Sequence, residues 1–295
     1  MVFDQLQRYK LVKAYVFIKA YIIKKTMKRF QILIFIFTGL FMLTACSGYN
    51  RIVKGDDYTK KFEFANELYA KKQFLRSVTL YEQIYQRMPK TGEGELAYYR
   101  IGKAYFEEKD FTMGGYYLTS FTQRFPFSPK AADAQFSAAI CAVNNSPDYT
   151  NDQNDTDVAI NALQTFINTY PTSELVDSCN RIMDQMRLKL ELKDFESVRL
   201  YAKTENFRAA VVSAQSFLDN FPLSKFKEEA VYILVKNSYL LTINSIENKK
   251  MERIEQTIER YRTFVTEFPN SKFKNELTQI NDKMNKELQN FNSGK

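Results

Sequence analysis

The feature that most constrains this chain is a fivefold recurrence of a large side chain followed by proline: Met88-Pro89, Phe125-Pro126, Tyr170-Pro171, Phe221-Pro222 and Phe268-Pro269. Successive prolines are 37, 45, 51 and 47 residues apart. Four of the five continue as Pro-x-Ser, at Ser128, Ser173, Ser224 and Ser271. Proline lacks an amide hydrogen and bars the residue before it from helical backbone, so each dipeptide ends a helix. The serine is placed to accept hydrogen bonds from the first free amides of the next helix. A repeat of this length is one supersecondary unit that buries its apolar face only by stacking on its neighbours.

Each interval holds two amphipathic helices. In the second unit, Tyr98, Ile101, Gly102 and Tyr105 share one face of the first helix, and Gly114, Leu118 and Phe121 share one face of the second. Small residues at Gly102 and Gly114 let paired helices approach. The order small, large, large, proline recurs in the other second helices: Ser77, Tyr81, Ile84, Pro89; Ala159, Leu163, Phe166, Pro171; Ala210, Ala214, Phe217, Pro222; Thr257, Tyr261, Phe264, Pro269. Ala214 is the poorest fit. The pattern resembles the tetratricopeptide (TPR) repeat. The expected fold is all-α, a TPR-like helix-hairpin solenoid of about five repeats over 59–295. A capping helix over roughly 272–289 closes it. First helices are expected to be lengthened over 175–201 and 225–246. Asn144–Asp155 is expected to be a loop.

The chain has no histidine, which removes the commonest general base and imidazole metal ligand. Its three cysteines, Cys46, Cys141 and Cys179, form no C-x-x-C pair, so no metal site is expected. No Asp/Glu pair stands apart from solvated helix faces, so the expectation is a protein that is not an enzyme and carries no cofactor beyond a covalent lipid. The net charge of +8 resides at the N-terminus: residues 1–45 hold eight Lys or Arg and one acid, leaving thirty-four basic residues against thirty-three acidic ones. Such a balance offers no basic face for nucleic acid.

Met27-Lys28-Arg29 followed by the apolar run 30–43 reads as a signal peptide over 27–45, too short to span a bilayer comfortably. It closes on Leu43-Thr44-Ala45-Cys46, which resembles the bacterial lipobox. The resemblance implies cleavage before Cys46, a diacylglycerol thioether on its sulfur and acylation of the new amine, with palmitate among the chains. Several chains anchor a protein stably. No Asp follows Cys46, and no acidic export cluster is present. By resemblance to known sorting rules, this implies the outer membrane with the protein facing the periplasm. Residues 46–58 read as a lipidated tether, and 1–26 as an untranslated or dispensable extension.

Taken together, the chain resembles the BamD family, TPR lipoproteins of the outer-membrane β-barrel assembly (BAM) complex, in their Bacteroidetes form. The segments carrying this are Phe64–Gln73, Leu80-Tyr81-Glu82, Lys109-Asp110-Phe111, Phe125–Pro129, Ala162–Pro171, Lys189–Phe195, Phe207–Val212 and Phe221–Ser224. The resemblance implies a periplasmic adaptor that binds the periplasmic domains of the barrel-forming insertase through its C-terminal units. It also implies that unfolded outer-membrane proteins are received in the N-terminal units. The competing reading is a TPR lipoprotein acting as a pilotin or a coordinator of cell-wall synthesis.

A receptor for a barrel strand needs aromatic surface interleaved with polar groups. Tyr69, Tyr99 and Arg100 fall off the core stripe and are the candidate client-binding residues; Tyr98 and Tyr105 are expected in the core. The charged run Asn248–Arg260 is either a docking surface or a solvated helix face. Cys141 and Cys179 sit on first helices of consecutive units, where either a disulfide or buried thiols are possible.

Overall fold

A computed structural model describes residues 48–293. The signal peptide, Cys46 and the 1–26 extension lie outside the described residues. Eleven long helices and no strand occur among those described: α1 (Tyr58–Ala70), α2 (Phe74–Arg87), α3 (Gly92–Glu107), α4 (Phe111–Arg124), α5 (Ala131–Asn145), α6 (Asn154–Thr169), α7 (Val176–Lys203), α8 (Phe207–Asn220), α9 (Lys227–Ile243), α10 (Glu247–Glu267) and α11 (Lys274–Ser293). They form two compact units, α1–α3 and α4–α11. The fold is an all-α, TPR-like array of helix hairpins. None of the described helices is long and apolar enough to cross a membrane.

The proline motif ends helices as expected, and by one geometry. Met88, Phe125, Tyr170, Phe221 and Phe268 all hold φ near −130° and ψ near 60°. Each still donates its amide to the carbonyl four residues back, at 2.8–2.9 Å. In four of them the ring also packs on the aromatic ring four residues earlier, with centroids 5.2–5.7 Å apart.

The serines act one residue ahead of the expected place. Oγ of Ser128, Ser173, Ser224 and Ser271 accepts from the amides of Lys130, Leu175, Phe226 and Phe273, at 2.9–3.2 Å. Those amides belong to the turn, not to the first free amides within the helix. The serine therefore fixes the reversal between hairpins.

A second turn recurs between consecutive helices. Lys72, Lys109 and Glu205 adopt left-handed backbone, φ 57–62°. Asp110 and Asn206 then cap α4 and α8 by accepting from Met113 and Ala209. The third hairpin replaces this turn with the loop 146–153. Gln153, buried, ties the loop by donating to the carbonyls of Asp148 and Asn151 at 2.8 and 2.9 Å. From α7, Lys189 donates to the Pro147 carbonyl at 2.9 Å, and Lys193 to that of Asn151 at 2.6 Å. Burial holds the Lys189 ammonium below the usual lysine range, against the favourable pull of Asp148.

In the second unit each core joins a first helix, its partner and the next first helix. Ala139, Leu163, Phe166, Cys179 and Met183 link α5, α6 and α7. Phe195, Val211, Phe217 and Leu234 link α7, α8 and α9. Val235, Ile254, Phe264 and Leu277 link α9, α10 and α11. Side chains of this size are each worth about 1.5–3 kcal/mol when fully buried. Cys141 and Cys179 are both buried and not joined as a disulfide, and burial pushes the Cys179 thiol up.

Residues 46–58 were expected to be a featureless tether, but 48–54 are helical. Tyr49 donates to the Arg76 carbonyl at 3.1 Å and lies beneath the Arg76 guanidinium, while Lys61 reaches the Val53 carbonyl at 3.0 Å. Polarity alone did not reveal these contacts between distant parts of the chain.

Candidate interaction surfaces

Two of the three candidate client-binding residues meet on the first unit. Arg100, on α3, stands 5.3 Å from the centre of the Tyr69 ring on α1. Its guanidinium donates to the Tyr81 hydroxyl at 2.9 Å and to the Asn66 side-chain oxygen. Tyr81 in turn donates to Asn66 at 2.9 Å. The Tyr69 ring meets Phe74 edge-on at 5.2 Å. Tyr69, Tyr99 and Arg100 are all half-buried. Arg100 thus serves first as a cross-helix tie, a role that sequence spacing does not show. Tyr98 is buried and Tyr105 half-buried, as packing residues.

A concavity lies in the second unit, across α4, α5 and α6, with a volume of about 720 Å³. Its floor is α5, where Ala138 and Ala142 stand one turn apart opposite Gly115 of α4. A Cβ on Gly115 would come 3.3 Å from the Cys141 Cβ, so this glycine lets α4 close on α5. Tyr116 and Thr119 form one wall, and Val158 and Thr165 the other. Asp155 is the only charged residue in the lining. Apart from Asp155, the alanine floor and threonine walls leave room for apolar side chains, with hydroxyls in reach of backbone amides. Sequence reasoning missed it; the available signal was six alanines among the fifteen residues of α5.

The charged run on α10 is a solvated face with two inward arginines. Arg260 donates to Ser238 on α9 at 2.6 Å, and Arg253 to Ser245 in the turn that follows α9. Burial lowers the Arg260 pKa.

Hairpins that stack in series and leave a groove of small and hydroxyl side chains open define the class of TPR-like protein-binding scaffolds. The chain belongs, more particularly, to the YfiO family of outer-membrane lipoproteins, whose pattern it matches over residues 55–251 and 198–292. Families of this kind are non-catalytic interaction scaffolds. No curated protein matches the sequence significantly. Among solved structures, a TPR repeats protein from Bacteroides fragilis is 13% identical, with 78% of this chain and 99% of that one covered and a TM-score of 0.35. A Podosopora anserina putative kinesin light chain with TPR-like repeats is also 13% identical, covering 75% and 99%, with a TM-score of 0.31.

Proposed function

We propose that this chain is the periplasm-facing adaptor of the outer-membrane β-barrel assembly machinery, of the Bacteroidetes BamD type. It docks on the barrel-forming insertase through its C-terminal hairpins, receives unfolded barrel proteins, catalyses nothing and is held to the membrane by lipid on Cys46. The observation that carries the reading is the family match across residues 55–292. The α4–α6 groove supports it chemically. A barrel strand alternates apolar and polar side chains and arrives with unpaired backbone amides. A groove of small residues and hydroxyls, with Asp155 as the one charge of its lining, accepts both. Tyr69, Tyr99 and Arg100 remain the proposed client contacts on the first unit.

The test is affinity purification of the tagged, lipidated chain from its native envelope. Recovery of a barrel insertase is the expected result. Recovery of pilus or peptidoglycan machinery in its place would overturn the reading in favour of a pilotin or cell-wall coordinator.

A further inference from the structure

The turns between hairpins share one backbone geometry, so they serve as internal controls for one another. Positions 127, 172, 223 and 270 are the variable residue of the Pro-x-Ser turn, and all four are exposed. Thr172 and Asn270 fill two of them, so the turn itself has no need of an apolar residue. Yet Phe127 and Leu223 fill the other two, at 98% and 97% exposure. Such exposure means that they contribute no packing to the described residues. Each apolar tip has basic neighbours, Arg124 and Lys130 beside Phe127 and Lys225 beside Leu223. Because helices alternate in direction, the turns after α4, α6, α8 and α10 all fall at the same end of the second unit's helices.

We propose that this end of the second unit lies against the phospholipid leaflet, with Phe127 and Leu223 inserted at the interface and the neighbouring cations on lipid phosphates. Three observations select a membrane over a protein. The family is one of outer-membrane lipoproteins, so the chain is already tethered to a bilayer. A tether raises the local concentration enough for two side chains to act. Phe or Leu flanked by Lys and Arg is the composition that interfaces with anionic lipid favour.

The chain contains no tryptophan, so one introduced residue is a clean reporter. Phe127→Trp and Leu223→Trp are made in the full lipidated chain and reconstituted into phosphatidylethanolamine–phosphatidylglycerol vesicles. Lys203→Trp, at the far end of α7 and about 40 Å from the turn end by helix rise, is the control. Flotation reports the anchor separately from insertion. The expected result is blue-shifted emission, quenched by brominated lipid, at 127 and 223 but not at 203. The variant Phe127→Thr/Leu223→Asn, which uses the chain's own residues for this turn, should keep the melting temperature. Water-like emission at both tips in floated vesicles would overturn the proposal. So would burial that appears only when an insertase is added, in detergent as well as in vesicles.

Discussion

The Arg100 guanidinium donates a 2.9 Å hydrogen bond to the hydroxyl of Tyr81, a residue with no exposed surface. Tyr81 lies on α2 and Arg100 on α3, so the bond ties the first hairpin to α3 within the first unit. A hydrogen bond to a charged group contributes about 1.5–3 kcal/mol, and a buried acceptor left alone costs about as much as was gained. Arg100→Ala should therefore lower stability by that order, seen as an earlier chemical-denaturation midpoint. Any loss of client binding in Arg100→Ala has to be judged beside Arg100→Lys, which keeps the charge over Tyr69. An unchanged midpoint would show that the tie contributes nothing.

Burial pushes the Tyr81 hydroxyl above the ordinary tyrosine value of 10.0, with the Arg100 charge pulling the other way. The folded chain then holds this proton to higher pH than the unfolded chain does. Stability from this group is complete below pH 10.0 and is lost as pH rises through the folded value. Tyr81→Phe should flatten the alkaline decline while leaving the ring packed. If wild type and variant decline in parallel above pH 10, Tyr81 is not the group responsible.

Gly94 and Gly92 both stand at the start of α3, and alanine should act on them with opposite sign. A Cβ on Gly94 would fall 1.8 Å from the Met88 carbonyl oxygen, whereas one on Gly92 would meet nothing within 4 Å. Gly94→Ala must push backbone aside, a clash of the kind that costs about 1–3 kcal/mol or more. Gly92→Ala removes unfolded-state freedom and should stabilise by about 0.4–1 kcal/mol. Melting curves of the two variants decide it; equal shifts would refute the close approach.

Much of the array was legible because its signals are local. A proline ends its own helix, and the small, large, large order names residues on one face. Ser77, Tyr81 and Ile84, then Gly114, Leu118 and Phe121, then Ala159, Leu163 and Phe166 are all buried. Ala214 looked a poor fit because of its size, yet it is wholly buried. Tyr261 is half-buried, its hydroxyl paired with Thr278 at 2.9 Å. What stayed hidden crosses long stretches of chain. Arg100 meets Asn66 and Tyr81 across hairpins, and Lys189 reaches a loop 42 residues away. The α4–α6 groove arises where alanines leave space unfilled, and an alanine-rich helix alone does not say whether a neighbour fills it.

Lipidation is tested at Cys46. The lipobox reading requires its sulfur as the acceptor of diacylglycerol and its amine as the acceptor of the last chain. Cys46→Ala should leave an unprocessed precursor that takes up no labelled palmitate. Label entering the variant would place the lipid elsewhere.

The groove gives the most direct test of client binding. Ala138 and Ala142 line its floor one helical turn apart, and both are half-buried. Leucine at these positions would project into the open groove, so the double variant Ala138→Leu/Ala142→Leu should fill it without entering the core. Surface changes of this kind shift stability by less than about 0.5 kcal/mol. A strand in the groove would then lose the space for its apolar side chains, although its amides could still reach Thr119 and Thr165 from a raised position. The expected loss of affinity for a C-terminal barrel-strand peptide is about tenfold, or 1.4 kcal/mol. Titration of the full mature chain measures it, with insertase binding followed in parallel and expected to persist. Equal affinities in wild type and variant would remove the groove from the client path and leave the Tyr69–Arg100 surface as the remaining candidate. A variant that melts much earlier would mean that the leucines have been forced into the α5 core, and the single substitutions would then separate floor from core.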